Sequence, residues 1–160
     1  MRAYQVFASL SSDRTEVVMR ALSEKAPGAF AQALGTACAA LKARPVYLQR
    51  QPFDKRAAAI RRALARVAAN DVAEEMLATY FLECRRPLLA EWLDGLGIAH
   101  EDGILQEEAP KPPPAKKLRE SARSFVAKED DPDRDLLLRA FAAQSAIDWP
   151  DLDAFFEAKT

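Results

Sequence analysis

The single histidine of the chain, His100, stands among acids: Glu101 and Asp102 follow it directly, and Glu107 and Glu108 come shortly after. An imidazole beside carboxylates is the residue set for general acid–base work or for holding a metal ion. A metal site also needs three or four ligands that converge in space. One histidine with its own sequence neighbours meets that condition poorly, and Asp102-Gly103 is equally a turn-forming pair. His100, Glu101 and Asp102 are therefore metal or polar-loop candidates, with a solvated turn as the competing reading. Cys38 and Cys84 both sit in apolar helical patterns, which points to burial rather than to a nucleophile beside a histidine. The chain contains no Gly-x-Ser-x-Gly, no phosphate-binding glycine loop and no Cys-x-x-Cys. No catalytic residue is assigned, no cofactor is expected, and enzymatic activity is the weaker expectation.

The second set of candidates is electrostatic. Net charge is −1, but residues 42–66 carry eight Lys/Arg and one Asp, for +7, while residues 70–108 carry ten Asp/Glu and two Arg, for −8. At 100° per residue Lys55, Arg62 and Arg66 share one face of a helix, with Arg56 and Arg61 on its shoulders. Such a stripe suits contact with phosphates or with an acidic partner. No exposed aromatic interleaves it in any recognisable way, and no helix-turn-helix pattern accompanies it. The competing reading is a solvated face whose charges pair with the acidic segment that follows.

The elements that must position these residues read as helices. Alanine is abundant and β-branched residues are scarce, a balance that favours helix because alanine loses no side-chain entropy. Tyr4, Phe7 and Leu10 suggest a short first helix ended by Ser11-Ser12. Asp13 and Glu16 then suit a capping box. Pro27 suits the first turn of a helix carrying Phe30, Leu34, Cys38 and Leu41; Gly35 inside it suggests close helix packing. Pro45 and Pro52 bracket a stretch read as non-helical. The next helix places Phe53, Ala57, Ile60, Leu64 and Val67 on one face, and Asn70 is read as the cap of the helix after that. Pro87 predicts a kink or a fresh start. Gly97 predicts a left-handed stop that brings Ile98 onto Leu93, followed by a loop at 100–103. Asp131-Pro132 and Trp149-Pro150 each open a helix. A faint echo between 67–81 and 126–141 raises a two-copy hairpin, short of the three repeats a solenoid normally needs.

The segment Phe81-Leu82…Arg86…Leu88-Leu89…Trp92-Leu93-Asp94…Leu96-Gly97-Ile98…His100-Glu101-Asp102-Gly103 resembles a group of uncharacterised bacterial proteins, in which a leucine-rich helix also runs into a Leu-Gly-Ile-x-His-Glu-Asp-Gly turn. The resemblance covers about 23 residues and implies no activity.

The expectation is an all-α protein of about seven to nine helices packed as antiparallel hairpins. It divides into a helical domain at 1–105, a proline-rich linker at 106–115 and a small helical part at 116–160 packed on the first. No apolar run approaches the roughly 18 residues of a membrane helix, and a thin cysteine supply fits a reducing, cytoplasmic setting. The expected function is a non-catalytic protein-interaction module, whose partner is an unknown protein or a second copy. Nucleic-acid binding through the basic face is the first alternative, and a metal or acid–base enzyme using the His100 loop the second.

Overall fold

The computed structural model describes residues 1–128 and 130–158. The alanine-rich sequence forms ten α-helices there, so the all-α expectation holds. The chain divides into two compact units, Arg2–Cys84 and Arg85–Thr160, with Met1 belonging to the second. The proline-rich segment, where sequence suggested a division, lies inside the second unit.

The first unit contains α1 (Ala3–Ser9), α2 (Ser12–Lys25), α3 (Pro27–Leu41), α4 (Pro45–Gln49), α5 (Phe53–Leu64) and α6 (Asn70–Thr79). A 3₁₀ turn at Val67–Ala69 leads into α6, and a π turn at Tyr80–Cys84 ends it. The cap of α2 is Ser11, whose hydroxyl accepts from the Arg14 N–H at 3.2 Å, so the helix starts earlier than the Asp13 box implied. Asn70 does not cap its own helix. Its side-chain oxygen accepts from the Tyr4 N–H at 3.3 Å, one of the donors that the first turn of α1 leaves unpaired. Residues 45–49 are helical despite the flanking prolines, because Pro45 occupies a first-turn position where no N–H is needed.

The buried face of α5, with Ala57, Ile60, Ala63 and Leu64, packs on α1, α2 and α3. Val67, expected on this face, is 70% exposed, because the helix stops at Leu64 and the 3₁₀ turn swings it outward. Gly35 faces open space rather than a close neighbour, so the packing explanation for it fails. The helices α2 and α3, joined through Ala26, form the expected hairpin. By contrast, α3 and α5 run parallel. Phe30 near the start of α3 stacks on Phe53 at the start of α5, with ring centroids 5.7 Å apart. At the other end, Arg66 just past α5 donates to the Ala40 carbonyl near the end of α3, at 3.0 Å. The 42–52 segment must therefore cross back along the unit between them, with α4 held on α3 and Leu48 as its buried anchor.

The second unit contains α7 (Arg86–Leu96), a two-stranded antiparallel hairpin of β1 (His100–Glu101) and β2 (Ile104–Leu105), then α8 (Ala115–Ala127), α9 (Asp133–Ala142) and α10 (Pro150–Glu157). Pro87 sits in the first turn of α7, giving the fresh start expected of it. Gly97 adopts φ +73°, and the Ile98 N–H donates to the Leu93 carbonyl at 3.0 Å, the bond of a Schellman stop. The hairpin stands where the sequence predicts a loop. Its turn residues, Asp102 at φ +50° and Gly103 at φ +85°, have the positive φ pair of the tight turns that match strand twist.

Aromatic residues form this unit's core. Trp92 lies 5.3 Å from Phe125 and 6.0 Å from Phe141, centroid to centroid, and Phe141 lies 5.2 Å from Trp149. The proline segment is bound into the same unit. The Trp149 indole N–H donates to the buried Pro110 carbonyl at 2.9 Å, and Lys117 donates to the Leu96 carbonyl at 3.1 Å. Among the described residues no helix is long and apolar enough to cross a membrane.

Candidate functional site

Three charged regions compete for the functional role, and the structure separates them by what each side chain already does. In the His100 region, the His100 Nδ1 accepts from the Gly103 N–H at 3.0 Å, while Nε2 lies 2.6 Å from a carboxylate oxygen of Asp94. Acceptance at Nδ1 puts the ring proton of the neutral form on Nε2, which donates to Asp94. The side chain is only 10% exposed. The ring thus braces the hairpin's own turn through Nδ1 and ties the hairpin to the last turns of α7 through Nε2. Glu101 and Asp102 point into solvent, and no group of His, Cys, Asp or Glu able to hold a metal occurs among the described residues. This geometry matches the turn reading of the three residues. Both cysteines are free thiols; Cys38 is buried as expected, whereas Cys84 in the π turn is half-buried.

In the second region, charge is buried. Arg85, the residue before α7, pairs with Asp131 and Asp133, and Asp133 is 1% exposed. Arg134, 7% exposed, makes a bidentate pair with Glu91 at 3.0 and 3.1 Å and reaches Asp130 at 3.1 Å. Lys128 joins Glu91 at 2.6 Å, and the Arg134 guanidinium lies 4.8 Å from the centroid of Phe125. The Asp131 carboxylate also accepts from the Asp133 N–H at 2.9 Å, the helix-opening bond expected of Asp131-Pro132. This network clamps the α8–α9 connection onto α7. Sequence reading missed it, since Arg85 and its partners lie more than 40 residues apart.

The network has a pH signature. Hydrogen bonds from Arg134 and Lys128 hold the Glu91 carboxyl below its ordinary value against the opposing effect of burial. Burial raises Asp131, but Arg85 and the Asp133 N–H together outweigh it and leave that carboxyl lowered as well. The Glu91 hydrogen bonds, opposed by burial and aided by Asp130, hold Arg134 above its usual value. A carboxyl with a lowered folded pKa stabilises the fold fully above the unfolded pKa, and that stability is lost as pH falls through the folded pKa. Urea unfolding of the second unit, read by Trp92 and Trp149 fluorescence, is therefore expected to weaken from about pH 4.5 downward. Glu91→Gln should flatten that profile, and an unchanged profile in the variant would remove Glu91 from the account.

The third region is the basic segment. Arg61 donates to the carbonyls of Phe7 at 3.3 Å and Ala8 at 3.1 Å, and Arg66 to that of Ala40, so each serves acceptors left open by a helix C-terminus. Arg56 is half-buried, 5.0 Å from the Phe53 ring centroid, with Arg20 at 4.3 Å from the same centroid. Lys55 is exposed but lines a cleft of about 250 Å³ with Asp13, Glu16, Asp54 and Arg61, where carboxylates offset its charge. The expected stripe of Lys55, Arg62 and Arg66 on one helix face is therefore not formed: α5 ends at Leu64, Arg66 follows it in extended backbone and turns to Ala40, and Lys55 lies in different electrostatic surroundings from Arg62.

Lys42, Arg44, Arg50 and Arg62 are exposed and have no ion pair among the described residues, so pairing with the acidic segment does not account for them. The crossover also carries what sequence reading did not find: Tyr47 is 61% and Val46 54% exposed. Val46-Tyr47-Leu48 resembles an ordinary apolar cluster, yet α4 buries only Leu48.

No protein-family model matches the chain, and neither curated proteins nor solved structures show a match to it.

Proposed function

We propose that the Arg2–Cys84 unit is a non-catalytic interaction module that recognises an acidic partner through the exposed cations of the 42–66 segment. The observation that carries this reading is the set of exposed, unpaired cations Lys42, Arg44, Arg50 and Arg62 among the described residues. Twelve Lys/Arg against eight Asp/Glu leave this unit at +4, so the local charge is not cancelled by the rest of the unit. A symmetric dimer through the same face would oppose like charges, which favours a different molecule over a second copy. Two free thiols fit a reducing, cytoplasmic setting.

The test is binding of the full chain to poly-L-glutamate and to mixed-sequence oligonucleotides, followed by fluorescence anisotropy at about 50 and 200 mM salt. The expected result is salt-sensitive binding that weakens at least about tenfold in Arg62→Glu/Arg66→Glu, a charge change of −4 at the surface. Arg66 also bonds Ala40, so Arg44→Glu/Arg50→Glu provides the same reversal without touching that bond. Absence of binding to every anionic probe at the lower salt would defeat the reading.

A further inference from the structure

The crossover between α3 and α5 places an aromatic ring where an electrostatic surface alone does not need one. Arg44 is the residue preceding α4, Arg50 is the residue following it, and Tyr47 lies between them. Tyr47 and Arg50 are three residues apart, close to one helical turn, whereas Arg44 enters α4 through extended backbone (φ −71°, ψ 139°), so the two arginines flank the ring along the chain. All three are exposed. Leu48, the next residue and about 100° round the helix, is buried and anchors α4, so Tyr47 is displayed by a fixed piece of backbone rather than by a loose loop. Exposing a tyrosine ring has no folding benefit, and a large aromatic in a basic surface is a recurrent feature of base stacking.

We infer that the acidic partner is single-stranded nucleic acid, with a base stacked on Tyr47 and the backbone phosphates held by Arg44, Arg50 and the cations beside them. This inference rests on the preceding proposal and specifies its ligand class. Stacking needs a base whose face is free, which a duplex does not offer, whereas the cations serve any polyanion. Arg66 brings a further positive charge to the end of α3, two residues from Lys42, so the phosphate track extends from α4 to that end of the unit. A tyrosine in contact with a base face also makes the site tolerant of sequence, because every base presents a π surface.

The experiment compares a labelled mixed-sequence single strand, the same sequence as a duplex, and poly-L-glutamate against the full chain. The inference expects the single strand to bind more tightly than both other probes. Tyr47→Ala is expected to weaken single-strand binding about tenfold, while Tyr47→Phe, which keeps the ring, binds like the native chain. The high exposure of Tyr47 makes either variant compatible with folding, which circular dichroism checks. Arg44→Glu/Arg50→Glu is expected to reduce the slope of log affinity against log salt, since fewer counterions are released. Equal binding of duplex and single strand, equal or tighter binding of poly-L-glutamate, or an unchanged Tyr47→Ala affinity would each overturn the inference while leaving the broader proposal standing. No binding to any of the three probes would overturn both.

Discussion

Trp92→Ala is expected to destabilise the Arg85–Thr160 unit by about 3–5 kcal/mol, the largest effect of any single substitution considered. Trp92 is 1% exposed and touches Phe125 and Phe141, and through Phe141 its ring is linked to Trp149. Removing the indole loses its burial and leaves a void that its two aromatic neighbours, Phe125 and Phe141, cannot fill without abandoning their rotamers. Its N–H has no hydrogen-bond partner among the described residues, so Trp92→Phe removes no bond and is expected to cost only about 1–1.5 kcal/mol. Both tryptophans of the chain lie in this unit, and Trp149 fluorescence still reports urea unfolding in each variant. Equal losses in the alanine and phenylalanine variants would show that the volume of the ring is not what matters.

Arg85→Ala is expected to lower the stability of the same unit by about 3 kcal/mol. The guanidinium pairs with Asp133, whose side chain is 1% exposed, and with Asp131. A carboxylate at that depth that loses this guanidinium loses a charge interaction that helped offset its desolvation. The penalty should shrink when the stranded charge is removed too, so Arg85→Ala/Asp133→Asn is expected to be more stable than Arg85→Ala alone. The comparison uses urea midpoints at pH 7 in a double-mutant cycle. Strictly additive losses would mean that the two residues act independently and that their pairing carries no coupling energy.

The readings that held are those that depend on a few consecutive residues. The Gly97 stop, the fresh start at Pro87 and the helix openings at Asp131 and Trp149 follow from φ preferences and missing N–H groups within one turn of chain. Errors arose where a local motif had a competing long-range partner. Asn70 has the chemistry of a cap and serves as one, but for α1 rather than α6. Cys84 and Val67 continue apolar patterns whose α-helices have already ended, in a π turn and a 3₁₀ turn, where Cys84 is half-buried and Val67 is exposed.

The candidate site divides in the same way. Lys55 and Arg62 lie on the exposed side of α5 as helical period expects, whereas Arg66, expected on the same face, follows the helix end in extended backbone. Their roles were not legible, because a cation's function depends on what lies across from it: a carbonyl for Arg66, a carboxylate-lined cleft for Lys55, solvent for Arg62. His100 shows the same distinction, since no sequence neighbour announces that Asp94, six residues earlier, will meet its Nε2.

By itself the sequence determined the helical class, most helix starts and stops, the absence of a long apolar span and the asymmetric distribution of charge, all properties set by short-range backbone preference and composition. Only the tertiary structure decided the parallel course of α3 and α5, the outward display of Tyr47, and the Arg85 and Arg134 networks. These depend on which surfaces bury most apolar area against one another, and that choice brings together residues whose separation along the chain carries no information about their separation in space.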